Sequence, residues 1–188
     1  MPELPEVETI RRDLLPAVRG RVIAEVAISP NAPKLVQLMH PDEFCRLLTG
    51  RKVEDISRRG KYLIFNLDRN LLWVVHLRMT GRLQHRQDGC PEHPHLRATF
   101  RLDDGTWLCF ADLRKFGMMW LVDDWTLVHP SLGPEPLEDG FNHAAFHTVL
   151  KRRGAPIKSV LLDQEVVAGI GNIYADEALF AAGINPKK

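Results

Sequence analysis

Residues 21–136 constrain the fold most strongly, because they consist of short apolar segments separated by turn residues. Val22, Ala24, Val26 and Ile28 recur at every second position, which is typical of a half-buried β-strand. Further strands are predicted at Val53–Ser57, Lys61–Leu67, Leu71–Leu77, Arg97–Leu102, Thr106–Ala111 and Gly117–Val122.

The turns between these segments favour antiparallel pairing. Asp103-Asp104-Gly105 is a hairpin signal between two predicted strands. A short helix from Pro41 to Thr49, stopped by Gly50, interrupts the series. Many short strands with turns between them indicate an antiparallel sandwich or barrel.

The start of the chain has a helical pattern. Pro5 suits the first turn of a helix, and the negative charge of Glu6 is favourable there because of the helix dipole. Pro16 is expected to bend or end this helix early. Its apolar face is formed by Val7, Ile10, Leu14 and Val18.

The pattern becomes helical again after the proline-rich segment 129–136, which is interpreted as a stiff linker. An apolar face then runs from Phe141 to Leu150, and two more helices are predicted at Ile157–Leu162 and Asn172–Ala182. Because these helices have no second layer to bury them, they indicate an incomplete domain.

The composition favours a cytoplasmic globular protein. Hydrophobic residues make up 45% and charged residues 26% of the 188 residues, and no apolar run is long enough to span a bilayer. The cysteines, Cys45, Cys90 and Cys109, are far apart and odd in number, so they are interpreted as buried or idle thiols.

The net charge of +1 argues weakly against a nucleic-acid partner, but the basic residues are clustered. Together the clusters make DNA a plausible partner, although each alone is typical of a solvated surface. They are Arg58-Arg59-Gly60-Lys61, Arg114-Lys115, Lys151-Arg152-Arg153 and Lys187-Lys188.

The first residues offer a possible nucleophile. Removal of Met1 would expose Pro2 as a secondary amine, and an α-amino group titrates near roughly 8, so part of it is unprotonated at neutral pH. Attack on a sugar C1′ would give an iminium that acidifies the C2′ proton. Glu3 lies beside it and is placed to transfer protons. The same residues also fit an ordinary terminus followed by a helix.

Six motifs occur in one order along the whole chain, and together they are highly specific. They are MPELPEVET, RRGKYLIF, HLRMTGRL, DLRKFG, LGPEPL and GIGNIYADEALFAAGI. The sequence resembles the formamidopyrimidine-DNA glycosylases, bacterial repair enzymes that act on 8-oxoguanine and ring-opened purines. Leu4 favours this family over endonuclease VIII, whose opening usually reads PEGPE.

The resemblance implies a role for individual residues at the reacting centre. Pro2 matches the Schiff-base nucleophile of the family, Glu3 the acid that accompanies it, and Glu6 a supporting residue. Lys61 matches the lysine that contacts DNA beside the lesion and takes part in later elimination. The reaction implied is base release followed by β- and δ-elimination, without a redox cofactor or catalytic metal.

The resemblance also implies how the DNA is held. Met79, Arg114 and Phe116 match the three residues that fill the space left by an extruded base. Asn172 matches a residue that grips DNA, and as an N-cap it is expected to leave the following amides free for a phosphate. Further DNA contacts are implied for His76, His95 and Arg153.

The sequence departs from the family in two respects. Leu113 and Lys115 stand where the commoner motif, DPRRFG, has proline and arginine. The four-cysteine C-terminal finger that holds the family's structural zinc is absent, so we expect a fragment or a truncated gene product with no metal of its own.

The sequence therefore predicts an α+β protein: an antiparallel β-sandwich with flanking helices, followed by an incomplete helix–two-turn–helix domain. The expected divisions are a catalytic domain at 1–130, a linker at 131–140 and a partial DNA-binding domain at 141–188. The protein is expected to be a monomer associated with the bacterial nucleoid. Its expected partner is double-stranded DNA containing oxidised purines. A non-catalytic remnant that binds damaged DNA and an endonuclease VIII-like pyrimidine enzyme are the alternatives.

Overall fold

The computed structural model describes residues 1–187. Its helices are α1 (Leu4–Val18), α2 (Pro41–Leu48), α3 (His143–Lys151), α4 (Ile157–Leu162) and α5 (Asn172–Ala182). Its strands are β1 (Ile23–Ile28), β2 (Val53–Arg59), β3 (Tyr62–Leu67), β4 (Leu72–His76), β5 (Gly81–Arg86), β6 (Leu96–Leu102), β7 (Trp107–Asp112) and β8 (Met118–Val122). Short 3₁₀ turns lie at Asp68–Asn70 and Trp125–Leu127.

The strands form two four-stranded sheets, in the orders β1-β6-β7-β5 and β2-β3-β4-β8. All neighbouring strands in both sheets are antiparallel. The turn at 103–105 joins β6 to β7, as the hairpin signal predicted. The two-sheet arrangement decides between the two architectures that the strand pattern left open, and it confirms the sandwich.

Aromatic residues fill the core between the sheets. The Trp73 ring lies 4.3 Å from both the Phe65 and the Phe100 ring centroids, and all three side chains are fully buried. Burying a side chain of this size contributes roughly 1.5–3 kcal/mol to folding. Val7 of α1 and Phe44 of α2 join the same core, so both helices are fixed against the sandwich.

The prediction that Pro16 ends the first helix early is wrong. Helix α1 continues through Pro16 to Val18, and the amide of Arg19 still donates to Leu15 O at 3.0 Å. Proline removes one backbone hydrogen bond here, close to the end of the helix. The buried side chains of Leu14 and Val18 on either side keep the helix docked.

Strand β5 was not predicted from the sequence. Gly81–Arg86 contains one apolar residue, Leu83, so it shows no apolar alternation. Leu83 nevertheless pairs with Phe110 of β7 and is buried in the core. As an edge strand, β5 needs only one apolar side chain directed inward, while its other residues remain polar.

The prediction that the cysteines are idle thiols is wrong for two of them. Cys90 and Cys109 form a disulfide, with their Cα atoms 5.6 Å apart, while Cys45 is free. The fold lays the loop that follows β5 over β7, and this brings together two residues 19 positions apart. Spacing alone gave no indication of this contact.

The C-terminal helices form a small separate core. Leu161 of α4 packs with Ala175 and Leu179 of α5. Helix α3 adds Phe146 at its margin, but Val149 on its apolar face is exposed. The segment 131–140 contains no helix or strand, and the divisions at 130 and 140 remain a prediction.

Candidate active site

The start of the chain lies at a groove beside the sandwich. Pro2 is half-buried and lines a cavity of about 610 Å³ together with Met79, Thr80 and Leu113. Pro2 is carried there because α1 begins two residues later and is anchored in the core. The predicted nucleophile and one predicted void-filling residue therefore face the same space.

Glu3 connects the beginning of the chain to the last helix. Its side chain is 2% exposed, and its carboxylate accepts hydrogen bonds from three backbone amides of the 169–174 turn. The donors are Gly171 at 2.8 Å, Ile173 at 2.9 Å and Tyr174 at 3.2 Å. The carboxylate thus caps α5 from a distance of 168 residues or more in sequence.

This geometry corrects the prediction for Asn172. The N-cap of α5 is Gly171. Asn172 is the first residue of the helix, and its side chain is exposed. The amides of Ile173 and Tyr174, which were expected to be free for a phosphate, are bound by Glu3. A carboxylate satisfies a helix N-terminus for the same electrostatic reason that a phosphate does.

Glu6 supports this connection from the first turn of α1. One carboxylate oxygen accepts from the amide of Glu3 at 2.9 Å, and the other accepts from the hydroxyl of Tyr174 at 3.0 Å. This hydrogen bond raises the pKa of Tyr174. Glu6 therefore holds Glu3 on one side and α5 on the other.

Lys61 contacts the same turn. Its side chain is mostly buried, and Nζ donates to Ile170 O at 2.8 Å. Burial lowers the pKa of Lys61, while the negative charge of Glu3 opposes this effect. The predicted acid and the predicted lysine therefore both contact the 169–174 turn.

The basic cluster before Lys61 is an internal contact and not a surface for phosphates. Arg58 donates to Glu135 at 2.6 Å, and Arg59 lies 3.2 Å from the same carboxylate. The amide of Gly60 also donates to Glu135, whose side chain is fully buried. The charge of this cluster is used to fix the proline-rich segment to β2.

His76 is buried at the end of β4. Its Nδ1 accepts from the amide of Arg78 at 3.0 Å, and its ring lies edge-on to Tyr62 at 4.5 Å. Burial, with smaller effects from Arg78 and Lys61, lowers the pKa of His76 to about 3. The ring is therefore neutral near pH 7 and provides no positive charge for a phosphate.

The three predicted void-filling residues lie together at the surface. Met79 is 45% and Phe116 is 49% exposed, although side chains of this kind are usually buried. Arg114 Nη1 lies 3.0 Å from Met79 Sδ, and Arg114 Cζ lies 4.7 Å from the centre of the Phe116 ring. We call Met79, Arg114 and Phe116 the wedge. Leu113 and Lys115, the two departures from the commoner motif, are exposed beside it.

The remaining predicted DNA contacts are more scattered. His95 is half-buried on the loop before β6, with Nδ1 3.4 Å from an Arg97 nitrogen. Arg153 follows α3, is exposed, and lies 3.8 Å from Asp163. The contacts described for residues 1–187 do not join Arg153 to the wedge or to Glu3.

Several residues of the site were not singled out in the sequence. Asp112, Arg97, Glu135 and Tyr174 all contact predicted site residues or the segments that carry them. Asp112, Glu135 and Tyr174 stand inside quoted motifs, and this was the only available signal. In residues 1–187 no group of three or more histidine, cysteine or acidic side chains could hold a metal ion, and no helix is long and apolar enough to cross a membrane.

Comparisons with known proteins identify the family of this chain. Residues 1–119 match the family model described as the formamidopyrimidine-DNA glycosylase N-terminal domain, and residues 132–188 match that of the H2TH domain. The enzyme from Moorella thermoacetica named formamidopyrimidine-DNA glycosylase is 48% identical over the whole of this chain, which covers 69% of that relative.

Solved structures of related proteins have the same fold. The Lactococcus lactis formamidopyrimidine-DNA glycosylase bound non-covalently to DNA with an abasic site is 37% identical, with a TM-score of 0.90 over 99% of this chain and 72% of that one. A mutant of the L. lactis protein in complex with Fapy-dG DNA is 38% identical, with a TM-score of 0.90 over 100% of this chain and 69% of that one. This chain belongs to the formamidopyrimidine-DNA glycosylase family.

Proposed function

We propose that this chain is a DNA glycosylase and abasic-site lyase that removes oxidised purines through the amine of Pro2. The observation that carries the proposal is the position of Pro2 in a groove shared with Met79, with the exposed wedge beside it. A nucleophile at the start of the chain is useful only if it faces a space that a sugar can enter. The relatives from M. thermoacetica and L. lactis support the glycosylase activity by their names, and the abasic-site DNA bound to the L. lactis protein supports the choice of substrate.

The proposed reaction begins with the free amine. Once Met1 is removed, the Pro2 nitrogen attacks C1′ of the damaged nucleotide, a C–N bond forms, and the bond from C1′ to the base breaks. The base leaves with the bonding electrons and takes up a proton. The attached nitrogen then loses its proton, and its lone pair breaks the C1′–O4′ bond while the ring oxygen takes up a proton, so the sugar opens to an iminium. The iminium acidifies C2′, so loss of that proton expels the 3′ phosphate by β-elimination, and water then releases Pro2.

Glu3 is the proposed acid of this reaction. Both of its carboxylate oxygens accept amide hydrogen bonds in the free protein. Because Glu3 is 2% exposed in the free protein, the carboxyl group must become accessible to the sugar ring oxygen as the substrate enters. The helix cap formed by Glu3 is thus expected to loosen when lesion DNA is bound.

The wedge is proposed to occupy the space left by the extruded base. Extrusion costs a few kcal/mol, which contacts in the gap must offset. Met79 and Phe116 provide apolar surface for the stacked bases, and Arg114 provides hydrogen-bond donors for the unpaired partner base. This role explains why two large apolar side chains next to Arg114 are exposed.

Borohydride trapping tests the proposal. The protein without Met1 should form a covalent adduct with duplex DNA containing 8-oxoguanine, and mass spectrometry should place the adduct on the first peptide. Pro2→Gly should lose most of it, whereas Pro30→Gly, at an exposed proline outside the groove, should retain it.

The other outcomes identify the alternatives. Binding of damaged duplex without any adduct would indicate a non-catalytic DNA-binding protein. Faster reaction with an oxidised pyrimidine than with 8-oxoguanine would indicate endonuclease VIII-like specificity. Adduct formation at an internal lysine, such as Lys61, would contradict the role of Pro2.

The salt dependence of DNA binding gives an independent test. Each phosphate neutralised by a cation contributes about 0.9 to the slope of log K against log salt concentration. Exposed cations such as Arg114 and Arg153 predict a steep loss of affinity as salt rises. An affinity that does not change with salt would contradict a phosphate-binding groove.

A further inference from the structure

Both loops that carry the wedge contain strained backbone. Arg78, next to Met79, has a φ of 54°, and Lys115, between Arg114 and Phe116, has a φ of 57°. Residues other than glycine seldom adopt this left-handed conformation, and they keep it only where surrounding contacts enforce it. Some feature of the structure must therefore hold these two loops in place.

Asp112, at the end of β7, provides those contacts. Its side chain is 1% exposed, and one carboxylate oxygen accepts from both the Thr80 hydroxyl and the Arg114 amide. The other oxygen accepts from the amide of Gly117 at 2.8 Å. One carboxylate therefore closes the 112–117 loop and joins it to the 77–81 turn that carries Met79.

Thr80 completes the connection between the loops. Its hydroxyl donates to Asp112 and accepts from the amide of Arg114 at 3.0 Å. Gly117 fits closely on the other side, because an added Cβ would lie 2.5 Å from the Phe110 ring and 3.1 Å from the Asp112 carboxylate. The arrangement leaves little room for the loops to shift.

The backbone of Asp112 extends the connection to a third loop. Its amide donates to His95 O at 2.8 Å, and its carbonyl accepts from Arg97 Nε at 2.9 Å. Arg97 also donates to Pro94 O at 3.0 Å. The loop with His95 is thus fixed to the same residue as the two wedge loops.

The Asp112 carboxylate is buried among uncharged donors. None of the ion pairs found in residues 1–187 includes it, and Arg97 contacts its backbone carbonyl instead of its carboxylate. Burying a carboxylate is costly unless hydrogen bonds compensate. Here all of the compensating side-chain hydrogen bonds come from the wedge loops.

We propose that Asp112 is a positioning residue that assembles the wedge before DNA binds. The inference rests on the proposed function, in which the wedge enters the duplex as the damaged base leaves. Asn in place of Asp112 has one acceptor oxygen and an amide group that cannot accept a hydrogen bond. Asp112→Asn therefore releases either the Gly117 amide or the contacts with Thr80 and Arg114.

The test compares wild-type protein with Asp112→Asn on two DNA substrates. On duplex DNA with 8-oxoguanine, single-turnover base release should fall about 10- to 100-fold, because the groups that support extrusion are misplaced. Trapping on DNA with a preformed abasic site should fall much less, since no base has to be unpaired or unstacked. A loss of folded protein would lower both rates by the same factor, so the ratio of the two rates isolates positioning.

Two further variants keep the test decisive. Thr80→Val preserves shape while removing the hydroxyl, and it should change the ratio in the same direction by a smaller factor, even if Asp112→Asn fails to fold. Asp103→Asn makes the same chemical change at an exposed carboxylate in the β6–β7 turn and should leave both rates unchanged. Equal losses on both substrates, or no loss, in Asp112→Asn and Thr80→Val would overturn the proposal.

Hydrogen exchange in the free protein separates this proposal from the proposed function. The amides of Arg114 and Gly117 should exchange faster in Asp112→Asn than in wild-type protein. If wild-type protein traps no adduct on either DNA, the proposed function fails, and the exchange rates alone decide whether Asp112 holds the loops. Unchanged exchange at both amides would contradict the positioning role whatever the activity.

Discussion

Individual side chains in this protein have roles that depend on their burial more than on their type. His76 and Lys61 belong to residue types that usually offer a charge to DNA, yet both are nearly buried. Burial lowers the pKa of each, and His76 is left as a neutral ring against Tyr62. Met79 shows the reverse, because an apolar side chain is exposed beside a cation.

The buried His76 predicts a specific dependence of stability on pH. The unfolded chain takes up a proton on this histidine near about pH 6.5, whereas the folded protein does so only near pH 3. The free energy of unfolding should therefore fall as pH drops below 6.5, by up to about 1.4 kcal/mol per pH unit from this group.

Chemical denaturation of wild-type protein and His76→Gln between pH 4 and 7 measures this contribution. The variant should lose part of the pH dependence because glutamine does not titrate. His147→Gln, at an exposed histidine of α3, should behave like wild-type protein. Identical slopes for wild-type protein and His76→Gln would contradict a neutral, buried ring.

Helices α1 and α5, at opposite ends of the chain, each have their first residues held by hydrogen bonds to the segment before the other helix. Helix α5 begins at the carboxylate of Glu3, and the amide of Leu4 donates to Gly169 O at 3.0 Å. The loop after β5 is fixed to β7 by the disulfide between Cys90 and Cys109. These contacts determine where Pro2 and His95 lie relative to the sandwich.

The cap on α5 requires glycine at position 171. An added Cβ would lie 2.5 Å from the Glu3 carboxyl carbon, so Gly171→Ala should displace the carboxylate from the amides. Loss of a helix cap costs about 0.5–2 kcal/mol, and the clash adds to that cost. Thermal unfolding should show a clear decrease in Tm.

Gly154→Ala is the matched control, since nothing lies within 4 Å of an added Cβ there. Its Tm should stay close to that of wild-type protein. Equal Tm values for Gly171→Ala and wild-type protein would indicate that Glu3 does not pack against this turn.

The disulfide predicts a dependence of stability on reductant. Closing a loop of this length stabilises a protein by about 3 kcal/mol, chiefly by restricting the unfolded chain. Oxidised wild-type protein should therefore lose stability on addition of a reductant. Cys90→Ser should be less stable without reductant and insensitive to it, whereas Cys45→Ser should respond as wild-type protein does. A wild-type protein with three free thiols would contradict the pairing.

At the scale of the whole molecule, the C-terminal helices are joined to the sandwich by buried polar contacts. Glu135 binds Arg58, Arg59 and the amide of Gly60, while Glu3 and Lys61 hold the 169–174 turn. These contacts align the groove at Pro2 with the start of α5. We expect the two parts to unfold together.

Glu135→Ala tests this coupling. The change removes one of the two carboxylates that pair with Arg58, leaving Glu8 at 3.1 Å, and it deprives the buried Gly60 amide of its acceptor. Because Arg58 keeps one partner, the cost should stay below the roughly 3–5 kcal/mol of a buried pair that is fully broken. Calorimetry should show a lower Tm and a broadened or divided transition. Glu138→Ala, three residues later and exposed, should unfold in the same way as wild-type protein. A single transition at the wild-type Tm in Glu135→Ala would indicate that the parts do not depend on this contact.

Much of the fold and part of the site could be predicted from local sequence patterns. Short apolar segments between turn residues predicted seven strands, the Asp103-Asp104-Gly105 turn predicted one hairpin, and the helix at Asn172–Ala182 was predicted with its observed bounds. Six ordered motifs identified the family, which the family models confirm. Strand β5 was missed because Leu83 alone marks its buried face.

The tertiary structure decided which groups are available for chemistry. Glu3 and Gly171 are 168 residues apart, and Arg58 and Glu135 are 77 apart, so neither pairing leaves a local pattern. Periodicity and capping depend on neighbours within a few positions, whereas burial, pKa and ion pairing depend on what the folded chain brings into contact. The sequence by itself therefore determined the family and all the strands but β5, and the fold determined that Arg58 is held in buried ion pairs, that His76 is neutral and that Asp112 connects the loops of the wedge.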